Sequence, residues 1–318
     1  MFLDFAPMEG ITTALFRQTH QQFFPGVDRY FSPFLSPTQD RRFTPREQRE
    51  FFPEYNEGIP LIPQILTKNP DDFLWAAGEL FAMGYQELNL NLGCPSGTVT
   101  AKGKGAGMLA NPQALDRFLD TIFSSLPCKL SIKTRLGLET PEEFESILKI
   151  YNRYPISELI IHPRVRRDFY RHPVRMAFFD YAIQHSRNPL SYNGSVITPQ
   201  DHDRIKDAYP HLTGIMIGQG LVSDPFLASK IKNGTVGTIE QLAAFHDTLF
   251  ERYSQQFGSA NNTVKRMKDI WFYLSRLFAD SDHACKQILK SKNEVEYRLA
   301  VHHMIHDLPM LPASAGGW

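Results

Sequence analysis

Cys94 stands in the segment ELNLNLGCPSGTVTAKGKGAG, residues 87–107, where a short apolar run breaks at Gly93 and a Gly/Lys-rich stretch begins. That order puts a thiol where a buried strand opens into a loop, and the flanking Gly93 and Pro95 argue against an ordinary core cysteine. A thiol of reference pKa about 8.5 is mostly protonated at neutral pH, so it can donate a proton without a large shift. The loop carries Lys102 and Lys104 and no acid. It is expected to be mobile, solvated and attractive to anions, with a phosphate-bearing ligand as its natural partner.

Other reactive or polar residues fall at the ends of comparable runs: Pro7 and Met8, Gln64, Asn91 with Cys94, Lys133 and Arg135, His162 and Arg164, Asn193 and Gly194, Gly218 and Gly220. Eight such runs recur, near Phe2 to Ala6, Arg29 to Phe34, Leu61 to Leu66, Glu87 to Leu92, Lys129 to Leu136, Glu158 to His162, Leu190 to Tyr192 and Gly214 to Gly218. Between them Asp71 to Met83, Pro112 to Leu126, Pro141 to Tyr154, Pro199 to Ala208 and Asp224 to Lys232 have helical composition, several with Pro near the first turn. Repeated strand and helix units of this kind predict an α/β chain closed as a (β/α)8 TIM barrel. Chemistry in that architecture sits at the carboxyl ends of the strands, where these residues lie. The connection after Phe34, rich in Pro, Arg and Gln, reads mostly as loop.

From Glu240 onward no strand-like run appears, and NGTVGT after Lys232 reads as a linker. The expected division is a barrel over 1–236 and a small all-helical domain over 237–318. Val264, Met267, Trp271, Leu274 and Phe278 share one face at helical spacing, leaving Lys265, Lys268 and Arg276 as a basic outer stripe.

The chain has 318 residues, 42% of them apolar, and no apolar run near the roughly 20 residues of a membrane span. MFLDFAPMEG does not have the form of a signal peptide. Three widely spaced cysteines, Cys94, Cys128 and Cys285, without a CxxC pair, argue against a disulfide framework and fit a reducing cytoplasm. Eleven histidines form no convergent set with carboxylates, so no metal site is expected. Charges balance at 34 basic and 34 acidic residues, yet RVRRDFYRHPVR at 164–175 holds five arginines against one aspartate. QDRRFTPREQRE at 39–50 holds four. Cations gathered in loops make a basic surface on a neutral protein.

NLGCPS with its Gly/Lys loop resembles the active-site motif of the tRNA-dihydrouridine synthases. APMEG, PQIL, IKTRLG, the His162–Arg164 pair, NG at 193–194 and IGQG at 217–220 extend the likeness over nearly the whole chain. The resemblance implies an FMN-dependent cytoplasmic enzyme that reduces a uridine of tRNA to 5,6-dihydrouridine, with NADPH or NADH recharging the flavin. It implies hydride transfer from reduced FMN to C6 and proton transfer to C5 from Cys94. Pro7, Met8, Gln64, Lys133, His162, Asn193, Gly194, Gly218, Gln219 and Gly220 are the expected flavin contacts. Lys133 is suited to the anionic edge of the reduced ring, and the glycines to its phosphate. Asn91, Lys102, Lys104, Arg135, Arg164, Arg166, Arg167, Arg171, Lys265, Lys268 and Arg276 are the expected substrate and tRNA contacts. A stacked uridine must be turned out to reach a barrel mouth, at a cost of a few kcal/mol that phosphate contacts offset.

Four positions depart from the usual family pattern: Pro163 and Val165 in His-Pro-Arg-Val, Gln219 between Gly218 and Gly220, and Asn89 where an aspartate is common. No GxGxxG fingerprint accompanies a strand and helix, so the nicotinamide is expected to reach the flavin without a Rossmann domain. Two rivals remain: an FMN oxidoreductase for a free pyrimidine or small enone, as in dihydroorotate dehydrogenases, and a non-catalytic tRNA-binding barrel. The helical tail and arginine-rich loops speak against the first. Cys94 together with Lys133 speaks against the second.

Overall fold

The structure, a computed structural model, describes residues 1–311. Its nine parallel strands are β1 (Phe2–Phe5), β2 (Arg29–Phe31), β3 (Leu61–Ile62), β4 (Gln64–Ile65), β5 (Glu87–Leu92), β6 (Lys129–Gly137), β7 (Glu158–Val165), β8 (Leu190–Asn193) and β9 (Gly214–Ile217). They follow the order β3-β2-β1-β9-β8-β7-β6-β5-β4.

The two ends of that order, β3 and β4, are separated only by Pro63, which has no N–H to give to a ladder. Tyr30 is in register with Leu61 on one side of this segment, and Gln64 with Asn89 on the other. The Pro63 carbonyl still accepts from the Asn89 N–H at 2.9 Å. Residues 61–65 therefore act as one strand that closes a TIM barrel of eight staves, matching the eight predicted runs. Ala6, Phe31, Ile62, Ile160 and Met216 form a buried apolar cluster.

Toward the amino-terminal ends of the strands, Arg29 donates to both Asp4 (2.8 and 2.6 Å) and Glu158 (2.7 and 2.9 Å). Asp4 and Glu158 are almost fully buried. Charges so placed are tolerable only because the planar guanidinium serves two carboxylates bidentately.

Helices Pro45–Phe51, Pro70–Ala82, Pro112–Phe123 and Pro199–Ala208 each begin at proline behind a side-chain cap from Thr44, Asn69, Asn111 or Thr198. The first corrects the expectation of mostly loop after Phe34. Its signal is the capping box of Thr44 with Glu47, which satisfies two orphan backbone donors. Helices Ala14–Phe23 and Met176–His185 were also not expected.

The residues form two compact units, one of Met1–Pro7, Arg29–Gly194 and Pro210–Met216, the other of Met8–Asp28, Ser195–Tyr209 and the chain from Ile217 onward. The first contains nearly all of the sheet. The second contains helices Ile239–Phe257, Ala260–Leu274, Asp282–Lys290 and Glu294–Asp307. Helix Ala14–Phe23 joins these: Phe16 and Phe24 pack on Phe245, and Thr13 hydrogen-bonds Tyr253 at 2.7 Å. Residues 312–318 of the expected tail domain lie outside the described residues.

Candidate active site

The end of β5 is built from amides. Two backbone N–H groups, of Gly93 and Cys94, converge on Asn91 Oδ1 at 3.1 and 2.9 Å. Asn91 Nδ2 must then face away, and it donates to Gln64 Oε1 at 2.7 Å. Gln64 Nε2 donates to Asn89 Oδ1 at 2.7 Å, Asn89 Nδ2 to Ser131 Oγ at 2.9 Å, and Ser131 Oγ to the Leu88 carbonyl at 3.1 Å. Donor-only groups at one end and a carbonyl at the other fix the direction of every link. Asn89, Asn91, Gln64 and Ser131 are all buried. Gln64, expected to face the flavin ring, has its side-chain oxygen and one N–H direction engaged in this row.

The segment after Cys94 is ordered as helical turns, Gly97–Thr100 and Gly105–Ala110, where an irregular solvated loop was expected. Ala106 donates its N–H to the Cys94 carbonyl at 3.1 Å. Gly105 has φ +56°, and a Cβ there would meet Cys94 Cβ, Cys94 O and Val99 Cγ1 at 3.0 Å each, so glycine alone lets the turn close over the half-buried thiol. Lys102 is exposed, whereas Lys104 reaches Ser36 Oγ at 3.0 Å, and burial together with Lys102 lowers its pKa.

Lys133 lies in register with Asn91 across β5 and β6, and Arg135 with His162 across β6 and β7. The Lys133 ammonium makes no hydrogen bond or ion pair among the described residues. Burial first, then Arg135, draws its pKa down to about 7, against a small opposing pull from Cys94. His162 is held well below its usual range by burial and by Arg135, Lys133 and Arg164, so it is neutral. Its Nε2 pairs with Arg164 Nη1 at 2.8 Å; a guanidinium only donates, so the ring proton sits on Nδ1. A lone ammonium and a neutral imidazole N–H are thus left at adjacent strand ends.

Arg135 and Arg164, expected as substrate and tRNA contacts, are buried and hydrogen-bonded within the protein. Arg135 is 1% exposed and donates to the carbonyls of Gly93 (2.9 Å), Val165 (3.0 Å) and Phe169 (2.9 Å). Arg164 is held by His162 and the His172 carbonyl. Both act as braces. Arg167 and Arg171 are exposed, Arg167 beside Glu139 at 3.8 Å, and half-buried Arg166 reaches Thr100 at 3.3 Å.

Asn193 Nδ2 donates to the Met216 carbonyl at 2.8 Å, and a Cβ built on Gly194 would stand 3.5 Å from His162 Cδ2. Pro7 is half-buried at the end of β1. In the second unit, the half-buried Met8 opens a turn closed by Thr12. Gly218 precedes the short helix Gln219–Ser223, and a Cβ on Gly220 would come within 2.3 Å of the Val196 carbonyl. Of the tail stripe, Lys265 is exposed. Lys268 turns to the Ser291 carbonyl, and Arg276 lies half-buried over Phe272 and Tyr273. The apolar face of that helix is buried as expected.

A family model described as Dihydrouridine synthase (Dus) matches residues 4–305. The chain belongs to the dihydrouridine synthase family. Among relatives, a tRNA-dihydrouridine(16) synthase of Cupriavidus necator is 26% identical, covering 92% of this chain and 95% of the relative. A tRNA-dihydrouridine(16) synthase of Ralstonia nicotianae is 29% identical over 71% of each chain. A probable tRNA-dihydrouridine synthase of Staphylococcus aureus is 28% identical over 83% of each. Morphinone reductase shares the fold at a TM-score of 0.52 and 12% identity, over 74% of this chain and 86% of its own. Within this family of enzymes, the Asn89 departure has a local account: its Nδ2 donates to Ser131, which frees the Ser131 hydroxyl for Leu88. An aspartate would instead accept from both Gln64 and Ser131, at the cost of a buried charge. The role of Asn89 and Ser131 was not read from the sequence, although Asn89 and Asn91 share one face of the strand by alternation.

Proposed function

We propose that this protein reduces a uridine of tRNA to 5,6-dihydrouridine in the cytoplasm, using FMN recharged by NADPH or NADH. The observation that carries this is the pairing of a half-buried thiol, held by Asn91, with an ammonium and an imidazole N–H that make no hydrogen bond among the described residues. Lys133 and the His162 Nδ1–H suit the electron-rich edge of a reduced flavin, and Asn193 and Gly194 beside His162 suit its ribityl phosphate end. Pro7 and Met8 are proposed as ring contacts, Gln64 through its remaining N–H direction. Gly218, Gln219 and Gly220 are proposed separately as phosphate donors. When bound, reduced FMN supplies a hydride to C6 of the uracil ring.

The chain's own part is the proton. Negative charge left at C5 and O4 is quenched at C5 by the Cys94 Sγ–H, and the thiolate regains its proton from solvent. The row of amides anchored on Ser131 holds the Cys94 backbone in place, so the thiol needs no rearrangement to act. Asn91 keeps one N–H direction for the pyrimidine edge. Lys102, Lys104, Arg166, Arg167, Arg171 and Lys265 are proposed to meet tRNA phosphates, while residues 237–318 are proposed as the tRNA-gripping domain.

The test is the visible spectrum of the purified protein without oxygen. A flavin band that bleaches with NADPH and returns with tRNA lacking dihydrouridine is the expected result. Return only with a free pyrimidine or enone assigns a small-molecule oxidoreductase. A protein that cannot be loaded with FMN yet binds tRNA is a binding module.

A further inference from the structure

Phe169 and Tyr170 are large rings left in solvent, 41% and 56% exposed, on a segment that is otherwise tightly pinned. The Asp168 carboxylate accepts the Val165 N–H at 2.9 Å and pairs with Arg175, which fixes the turn Arg166–Asp168. Phe169 then takes φ +49° and ψ −106°, a conformation that non-glycine residues rarely adopt. It is held there by its N–H on the Arg166 carbonyl at 3.2 Å and by Arg135 on its own carbonyl at 2.9 Å. The Arg135 guanidinium also sits 5.3 Å from the centre of the Tyr170 ring. Tyr170 in turn lies 5.9 Å from the His162 ring. A strained backbone braced from the barrel interior to hold two rings outward is costly without a ligand for them.

We infer that Phe169 and Tyr170 form a stacking platform for unpaired bases of the RNA strand, beside the uridine that is reduced. The inference rests on the tRNA reading above and adds a recognition surface to it. Three features select RNA bases as the occupant. The rings sit among the arginines of the same loop: Arg166 lies 5.9 Å from the Phe169 ring, and Arg167 and Arg171 are exposed on either side. Exposed aromatics flanked by cations are what a single strand needs, faces for its bases and charges for its phosphates. Tyr170 stands next to His162, so a base stacked on it is adjacent to the candidate flavin contacts. And a uridine turned out of its stack leaves its neighbours short of stacking partners, which a rigid aromatic pair replaces. Because Arg135 already fixes Tyr170, little ordering entropy is lost when a base arrives.

The experiment separates the two half-reactions of the flavin-loaded protein. Reduced wild type, Tyr170→Ala, Tyr170→Trp and Phe169→Gly are mixed anaerobically with tRNA lacking dihydrouridine, and the return of the flavin band is followed against tRNA concentration. Tyr170→Ala is expected to raise the half-saturating tRNA concentration about tenfold or more, as loss of one base stack does. Tyr170→Trp is expected to restore most of it, and Phe169→Gly, which keeps the backbone conformation, to show a loss of its own. Reduction of the flavin by NADPH is the control. A tRNA dependence within about twofold of wild type for both Tyr170→Ala and Phe169→Gly overturns the platform. So does a loss confined to the NADPH step, which assigns the rings to the nicotinamide nucleotide. If tRNA fails to reoxidise wild type, the functional reading falls by itself. The platform is then decided by fluorescence quenching with oligouridylate: weaker binding by Tyr170→Ala supports it and equal binding overturns it.

Discussion

Asn91 Oδ1 accepts the backbone N–H of Cys94 at 2.9 Å, and this bond sets the direction of the whole amide row behind it. Because Gly93 and Cys94 can only donate, Asn91 must offer its NH2 to Gln64, and Gln64 its NH2 to Asn89. The geometry of the thiol is therefore tied to β4, β5 and β6 at once.

Cutting that row at its middle is expected to be costly. Gln64→Leu leaves Asn91 Nδ2 and Asn89 Oδ1 buried without their partner, and each such group costs about 1–3 kcal/mol. The urea midpoint should fall accordingly. Gln64→Glu keeps the acceptor for Asn91 but, when ionised, sets a buried charge against Asn89 Oδ1, so it should be at least as destabilising at neutral pH and recover as acid protonates the carboxyl. A midpoint for Gln64→Leu equal to wild type would show that the row carries no stability.

Cys94→Ala removes the proton donor and little else. The tRNA-dependent step should slow by roughly 10²–10⁴, the usual worth of a placed general acid. Reduction of the flavin by NADPH, which delivers no proton to C5, should persist. Rapid mixing of the reduced variant with tRNA measures this directly, and an undiminished rate would exclude Cys94 as the donor.

Much of this site was legible in the sequence because strands alternate and barrels present one end of each strand. Phasing puts Asn91, Lys133, His162 and Asn193 at strand ends, the resemblance gives them their expected roles, and turn signals mark the eight runs. What the sequence hid is commitment. Nothing in SIKTRLG tells that Lys133 makes no hydrogen bond or ion pair among the described residues while Arg135, two residues on, is spent on three carbonyls. The arginine-rich run at 164–175 reads as RNA-facing charge, and Arg164 within it is held inside by His162 and the His172 carbonyl. The helix at Pro45–Phe51 was obscured by composition, though its capping box was written at Thr44 and Glu47.

The opposite end of the barrel offers a control remote from the chemistry. Arg29→Met strips both Asp4 and Glu158 of their cation where they are 0% and 2% exposed, and breaking one side of such a buried set costs about 3–5 kcal/mol. Arg29→Lys keeps the charge but not the bidentate fit, so its loss should be smaller. Urea unfolding measures both, and a flavin spectrum like wild type in the folded variants is the companion expectation. Equal stability of Arg29→Met and wild type would mean that the carboxylates are satisfied without the guanidinium.

Lys133 gives the pH signature. Burial and Arg135 bring its pKa from 10.5 to about 7, below the unfolded value. Between those limits the unfolded chain binds more protons than the flavin-free fold, so this group adds stability as pH rises from about 7 toward 10.5. Below about 7 the full cost of the buried charge is present. A flavin anion against Nζ favours the charged form and raises that pKa again, so binding must take up a proton. Affinity for reduced FMN should accordingly be greatest near and below neutrality and weaken above about pH 7, the reverse of the stability trend. Anaerobic calorimetric titration with reduced FMN in two buffers of different ionisation enthalpy reads the uptake. Up to one proton is expected at about pH 8 and close to none at about pH 6, with Lys133→Met abolishing the difference. Proton-neutral binding by wild type at about pH 8 would remove Lys133 from the flavin contact, and with it the electrostatic basis for holding the reduced ring.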